Sequence, residues 1–164
     1  MLDGGVEVLD IGLCGTEEIY FAAFYHQLDG GIMITASHNP MDYNGIKLVR
    51  EQAQPISGDS GLFAIRDLAA SNEFTLAAHP GQLIPRADKS DYIRYLLGAI
   101  DITALKPLKI VVNAGNGSAG LIIDALEPHL PFHFIKIHHE PDGTFPNGIP
   151  NPLLPEGREA TAQA

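Results

Sequence analysis

The chain has 164 residues, of which 45% are hydrophobic and 18% are charged. This composition excludes a disordered tail, and the length suits one domain or two small ones with a substantial buried core. The formal net charge of −10 argues against binding to a nucleic-acid backbone or to an anionic membrane surface, because both partners need a basic face.

Cysteine content and the N-terminal residues indicate a cellular compartment. Cys14 is the only cysteine, so an internal disulfide is impossible and a cysteine-based zinc site is disfavoured. The first residues lack the basic-then-apolar pattern of a secretory signal, and no apolar run reaches the ~20 residues of a membrane helix. These features predict a soluble protein of a reducing compartment, the cytoplasm.

The first half of the chain predicts alternating strands and helices. Residues 6–11 and 32–35 are rich in β-branched and apolar side chains, and a helical apolar repeat lies between them. Thr16 is the predicted N-cap of that helix. This strand–helix–strand order predicts a parallel βαβ unit. The same patterns then predict a strand at 46–49, a helix entered at 57–60, and a linker over 72–87.

The second half repeats the alternation. A helix over 90–100 is followed by a predicted strand at 108–112, a helix at about 118–127 and a strand at 132–137. Closely spaced prolines and glycines then predict irregular structure, and residues 156–164 have the features of a helix start. The fold class is therefore α/β.

The densest group of chemically capable residues lies in the segment 35–40, Thr-Ala-Ser-His-Asn-Pro. Ser37 is a candidate nucleophile where a strand runs out into a loop, and His38 beside it exchanges protons near neutral pH. Asn39 and neighbouring amides are candidate donors to an anion. The alternative is a plain turn, since Ser, Asn and Pro all favour turns.

The local charge differs in sign from that of the whole chain. Between residues 36 and 50 the only acid is Asp42, whereas Lys47 and Arg50 are basic. A small positive region in an acidic protein suits a small phosphorylated substrate better than a polymer.

A second candidate is the segment 115–120, Gly-Asn-Gly-Ser-Ala-Gly, between a predicted strand and a predicted helix. Its spacing matches a dinucleotide-binding fingerprint, and Glu140 stands 20 residues after Gly120, where an acid for the ribose is expected. The other interpretation, which we favour, is a tight β-to-α turn that needs glycine for positive φ and close packing.

A third candidate is the group His138, His139, Glu140 and Asp142, which resembles a set of ligands for a divalent metal. Adjacent residues on a strand point to opposite faces, so a solvated strand end is the favoured interpretation. Cys14 has no cationic neighbour in sequence and is predicted to be a small buried hydrophobe.

Five segments form a pattern that spans essentially the whole chain. Residues 31–40, GIMITASHNP, are followed by NGIK at 44–47. The glycine-rich 115–120 segment, DGTFPN at 142–147 and NPLLPE at 151–156 accompany them. Together they closely resemble the α-D-phosphohexomutases, the phosphomannomutase/phosphoglucomutase enzymes, and bacterial members in particular. The resemblance also explains the glycine turn without a dinucleotide.

The resemblance implies a reversible phosphoryl shuttle between hexose 1-phosphate and 6-phosphate, with mannose as substrate and glucose left open. Ser37 would carry the phosphoryl group, His38 would assist proton transfer or contact phosphate, and Lys47 would neutralise charge. It further implies glucose or mannose 1,6-bisphosphate as activator, and Mg²⁺ bound through the Ser37 phosphate.

The departures from the family pattern predict a fragment. The metal-holding D-G-D-x-D-R loop of the family does not occur in this sequence, nor does the arginine-bearing segment that normally precedes this region. We expect two incomplete domains with mixed, mostly parallel sheets flanked by helices, over residues 1–86 and 87–164, and little or no mutase activity. A nucleotide-binding module and a non-catalytic sugar-phosphate binder are the alternative functions.

Overall fold

Strands and helices alternate along the computed structural model, which describes residues Met1–Ala164. Contacts between residues divide the chain into two compact units. The first unit is Met1–Met33 with Lys47–Asp88, and the second is Ile34–Ile46 with Lys89–Ala164. The strands are β1 (Val8–Asp10), β2 (Gly30–Ile34), β3 (Ile46–Arg50), β4 (Gln54–Pro55), β5 (Leu83–Pro85), β6 (Lys109–Asn113) and β7 (His133–Ile137). The helices are α1 (Thr16–Tyr25), α2 (Leu62–Ser71), α3 (Ser90–Gly98), α4 (Ala119–Leu126) and α5 (Glu159–Gln163).

Strand β1 pairs in parallel with β5, from Val8 opposite Leu83 to Asp10 opposite Pro85. The predicted linker over 72–87 is therefore wrong for the three residues of β5. These residues are exposed and too few to show a periodic pattern in the sequence. Strand β2 belongs to a different sheet from β1. The predicted parallel βαβ unit through α1 is therefore also wrong.

Strands β2 and β3 are neighbours in a three-stranded sheet that ends with β4. The Thr35 amide donates to the Gly45 carbonyl oxygen at 2.9 Å, while a Cβ on Gly30 would lie 2.7 Å from the Val49 carbonyl oxygen. These contacts run in opposite directions along the chain, so β2 and β3 form a hairpin. The connection that closes it is the segment 35–45, which contains the candidate site.

Helix α1 supplies most of the buried core of the first unit, with Phe21, Ala22 and Ala23 all buried. Its N-cap is Gly15, one residue before the predicted Thr16, and the buried Glu18 carboxylate accepts from the Gly15 amide at 2.7 Å. This bond satisfies one of the amides that a helix start leaves unpaired, so the acid in the first turn replaces a hydroxyl cap.

The second unit contains the parallel βαβ motif that the sequence predicts for 108–137. Strands β6 and β7 pair in parallel from Lys109 opposite His133 to Asn113 opposite Ile137, with α4 as the crossover. Ile122 of α4 is buried. This is expected because the crossover helix of a parallel pair covers one face of the sheet. The predicted helix start in 156–164 is present as a 3₁₀ turn that runs into α5. None of the helices combines the length and the apolar composition that a membrane span requires.

Lys136 of β7 links two acids of the crossover segment. Its ammonium lies 2.6 Å from both Asp124 Oδ1 and Glu127 Oε2, and His139 Nε2 lies 2.8 Å from the same Asp124 oxygen. The hydrogen bond from Lys136 lowers the pKa of Asp124 below its ordinary value of 3.8. In return, Asp124 and then Glu127 raise the pKa of Lys136.

We expect the Asp124→Asn variant to lose part of the acid sensitivity of the fold. A lowered pKa in the folded state means that the Asp124 carboxylate stabilises the fold above pH 3.8 and stops doing so as the pH falls through that lowered value. Because the pair is exposed, the contribution is at most about 1 kcal/mol. Urea midpoints measured from pH 7 to pH 3 test this, and a difference between variant and parent that stays constant over this range would contradict it.

Candidate functional site

The loop that follows β2 presents Ser37 to solvent in an unusual backbone conformation. Ser37 has a φ of +58°, which non-glycine residues rarely adopt. Its Oγ lies 3.1 Å from Nδ1 of His38, and both residues are exposed. The structure therefore brings together the predicted nucleophile and the predicted proton-transfer group. Strained non-glycine residues occur preferentially at functional sites.

Hydrogen bonds inside the loop maintain this conformation. The Ser37 amide donates to Thr35 Oγ1 at 2.9 Å, and the Asn39 side-chain amide donates to the Ala36 carbonyl oxygen at 2.7 Å. The Asn39 main-chain amide also donates to that oxygen. One side-chain N–H of Asn39 is therefore used to brace the loop, and the role of Asn39 as a donor to an anion stays a prediction. Thr35 is a supporting residue that the sequence analysis missed, although its position two residues before Ser37 suits a side-chain turn.

Lys47 and Arg50 lie on β3, after the loop, and both are exposed. Lys47 Nζ donates to Thr16 Oγ1 at 3.2 Å, and the Arg50 guanidinium donates to Gln54 Oε1 at 2.6 Å and 3.0 Å. Since both acceptors are neutral, these bonds leave the positive charge of each side chain uncompensated. Lys47 belongs to the first unit, whereas Ser37 and His38 belong to the second. Thr16 was missed as a lysine partner because the two residues are distant in sequence.

The first three amides of the glycine-rich turn 115–120 donate within the protein. Gly115 N donates to Asn113 Oδ1, Asn116 N to the His138 carbonyl oxygen, and Gly117 N to the Ala114 carbonyl oxygen, all at 2.7–2.9 Å. A dinucleotide fingerprint requires such amides to face a pyrophosphate. The turn therefore supports the structural interpretation and disfavours nucleotide binding.

Two of its glycines are required by geometry. Gly115 has a φ of +57°, and a Cβ on it would lie 2.7 Å from Pro150 Cβ. Gly120, at the start of α4, is buried, and a Cβ there would overlap the His139 carbonyl oxygen. Positive φ and close packing are the two reasons the sequence analysis gave for glycine here.

Asn116 connects this turn to residues 140–147, which follow β7. Its side chain is 9% exposed; Nδ2 donates to the Glu140 carbonyl oxygen and Oδ1 accepts from Asn147 Nδ2, both at 2.9 Å. The Asn116 carbonyl oxygen accepts from the Asp142 amide at 2.8 Å. The glycine-rich turn and the 142–147 segment thus form one hydrogen-bonded structure. The Asp142 carboxylate accepts hydrogen bonds from the Thr144 hydroxyl and from the Thr144 amide. Both bonds lower the pKa of Asp142, and the hydroxyl has the larger effect.

The histidine and acid group after β7 does not form a metal site. His139 bonds Asp124, Asp142 bonds Thr144, and no three His, Cys, Asp or Glu side chains anywhere in the structure are placed to hold a metal ion. The same finding bears on the Mg²⁺ that the family resemblance implies, because hard cations need several oxygen ligands and no three acidic side chains are grouped here. Cys14 is buried with its Sγ 3.7 Å from Met33 Sδ, as a small hydrophobe is expected to be.

Two family models match the chain. Residues 1–76 match domain I of the phosphoglucomutase/phosphomannomutase family, an α/β/α domain, and residues 90–164 match its α/β/α domain II. The chain belongs to the phosphoglucomutase/phosphomannomutase family. The resemblance inferred from the five sequence segments is confirmed, and so is the α/β fold class, in which two of the three sheets are parallel.

Relatives in this family are similar over nearly the whole chain. A protein of Xanthomonas campestris named "Phosphohexose mutases" is 64% identical over 98% of this chain, which is 36% of that protein. A phosphomannomutase of Salmonella typhimurium is 58% identical over 99% of this chain and 37% of its own length. The chain thus spans little more than a third of these phosphoglucomutase/phosphomannomutase relatives.

Solved structures agree with this membership. A phosphoglucomutase/phosphomannomutase family protein from Burkholderia thailandensis superposes with a TM-score of 0.80 and 32% identity over 98% of this chain and 35% of its own. A protein from Thermus thermophilus gives a TM-score of 0.75 at 24% identity, over 97% of this chain and 36% of its own, and supports the fold alone.

Proposed function

We propose that this chain carries the phosphoryl-accepting serine of a phosphohexomutase. The observation that carries the proposal is the Ser37 hydroxyl, which is exposed at the turn of a braced loop and lies 3.1 Å from His38 Nδ1. A hydroxyl nucleophile needs a neighbouring base to remove its proton, and imidazole titrates in the physiological range. Membership of the phosphoglucomutase/phosphomannomutase family supports this choice of reaction.

The proposed step exchanges one phosphorus–oxygen bond for another. Ser37 Oγ attacks a phosphoryl group of a hexose 1,6-bisphosphate while its proton passes to His38, and the bond from phosphorus to the sugar oxygen breaks. The departing sugar oxygen takes up a proton from water, and His38 returns its proton to water. In the reverse direction a hydroxyl of a hexose monophosphate attacks the Ser37 phosphate. Positioning and charge neutralisation dominate such transfers, because there is little covalent chemistry for the protein to perform.

We assign the neutralising cation to Lys47, whose ammonium is exposed and bonded only to a neutral hydroxyl. Phosphoryl transfer needs a positive group to neutralise charge on the transferring phosphoryl oxygens, and a lysine ammonium can supply it. Mg²⁺ would find only the Ser37 phosphate as a ligand in this chain, so no step here is routed through the ion.

The remaining features of the full reaction are also proposals. The substrate class is hexose phosphate, with mannose phosphates as the first choice, glucose phosphates as the second, and glucose or mannose 1,6-bisphosphate as activator. We propose residues 1–86 and 87–164 as two incomplete family domains, and the cytoplasm as the location. A chain that spans about 36% of its relatives is expected to show little or no turnover alone.

Intact-mass measurement tests the proposal without requiring turnover. After incubation with glucose 1,6-bisphosphate, the chain should gain one phosphate, and peptide mapping should locate it at Ser37. Ser37→Ala should show no gain because the acceptor oxygen is absent.

Ser71→Ala is the matched control, since Ser71 is another exposed serine, and it should gain phosphate like the parent chain. Binding of the bisphosphate with no mass gain in the parent chain would indicate a sugar-phosphate binder and contradict the proposal. Phosphate retained in Ser37→Ala would contradict the assignment of the serine.

A further inference from the structure

We infer that Thr16 is a positioning residue that holds the ammonium of Lys47 in place. Lys47 Nζ donates to Thr16 Oγ1 at 3.2 Å, and the two residues are 31 positions apart in sequence. Both belong to the first unit, Thr16 at the first position of α1 and Lys47 on β3. The inference rests on the proposed function only in giving the Lys47 ammonium a role.

Thr16 is well suited to be the fixed member of this pair. It is half-buried, and its helix is anchored by the Glu18 bond to the Gly15 amide and by the burial of Phe21. A β-branched side chain also has few rotamers within a helix, so the hydroxyl has a defined direction. Since Gly15 serves as the N-cap, the Thr16 hydroxyl is not required to cap the helix.

Lys47 is the flexible member of the pair, so the hydrogen bond restrains its side chain more than that of Thr16. A lysine is a point charge on a flexible four-carbon stem, and this one is exposed. A carboxylate in place of Thr16 would hold the ammonium but compensate its charge. A hydroxyl restrains the ammonium and leaves its charge available to phosphate, which is the combination that phosphoryl transfer needs.

Nuclear magnetic resonance on the whole chain tests the inference directly. We expect Thr16→Val, which removes the acceptor oxygen at constant shape, to lower the order parameter of the Lys47 Cε methylene. Thr16→Ser should restore it toward the parent value. Thr16→Ala provides a second oxygen-free variant with good helix propensity if the valine variant folds poorly. Lys106, which lies in the second unit, serves as an internal reference that should not change.

The rate of Ser37 phosphorylation provides a functional readout. We expect a fall of about tenfold in Thr16→Val, with serine restoring the rate, because a displaced catalytic group slows transfer more than it weakens binding. Thr75→Val, at an exposed threonine, should behave as the parent chain does.

The two proposals can fail separately. Unchanged order of Lys47 in both Thr16→Val and Thr16→Ala overturns the inference about Thr16, whatever the chain does with phosphate. Absence of phosphate on Ser37 in the parent chain overturns the proposed function, while the lysine measurements still decide the role of Thr16.

Discussion

Gly120→Ala should destabilise the second unit by about 2–3 kcal/mol, although alanine is the better helix former. The reason is contact with the main chain: a Cβ at position 120 would overlap the His139 carbonyl oxygen. A backbone oxygen cannot turn aside as a flexible side chain does, so α4 and the residues after β7 must separate. We expect lower urea midpoints, and faster hydrogen exchange in peptides from β6, α4 and β7.

Gly98→Ala is the matched control for this prediction. Gly98 ends helix α3 in the same unit, and a Cβ there would meet nothing within 4 Å. The substitution should be neutral or should stabilise the chain by up to about 1 kcal/mol. Equal midpoints for Gly120→Ala and the parent chain would show that α4 does not pack against His139 as described.

Asn116→Gly should lower the free energy of unfolding by about 1–3 kcal/mol. The variant keeps a residue that accepts the φ of +55° at this position, so backbone strain does not contribute. What is lost is the buried amide, which donates to the Glu140 carbonyl oxygen and accepts from Asn147. Each of these two part-buried hydrogen bonds contributes about 0.5–1.5 kcal/mol.

Asn72→Gly separates the hydrogen bonds from the conformation. Asn72 also has a left-handed backbone, with a φ of +53°, but it is exposed at the end of α2. Its replacement should change stability by no more than about 0.5 kcal/mol. Urea unfolding of both variants supplies the comparison. A change of similar small size for Asn116→Gly would show that its side chain does not hold the glycine-rich turn against the 142–147 segment.

Local patterns in the sequence were sufficient to predict the second unit. The β-branched runs of β6 and β7 flank an apolar helix, and consecutive parallel strands with one crossover have few possible arrangements. The first unit could not be predicted as well, because β1 pairs with β5 rather than with β2. Strand β5 has three exposed residues, and a pairing between distant short strands leaves no periodic signal in either of them.

In the candidate site too, contacts between residues close in sequence could be predicted, whereas contacts between distant residues could not. The closeness of Ser37 and His38 follows from their adjacency, and the Thr35 contact also lies within one turn. The bond from Lys47 to Thr16 joins residues 31 positions apart, so it depends on the tertiary fold. The bond from Asn39 to the Ala36 carbonyl oxygen also lies within one turn, although the residue type alone suits both loop bracing and anion binding.

The left-handed backbone at Ser37 has a consequence for which hydroxyl amino acid can occupy this position. Threonine offers the same reactive group, but its extra methyl on Cβ makes a φ near +58° sterically unfavourable. The main chain therefore discriminates between the two alcohols before any substrate arrives. Selection for a primary alcohol is built into the shape of the hairpin connection itself.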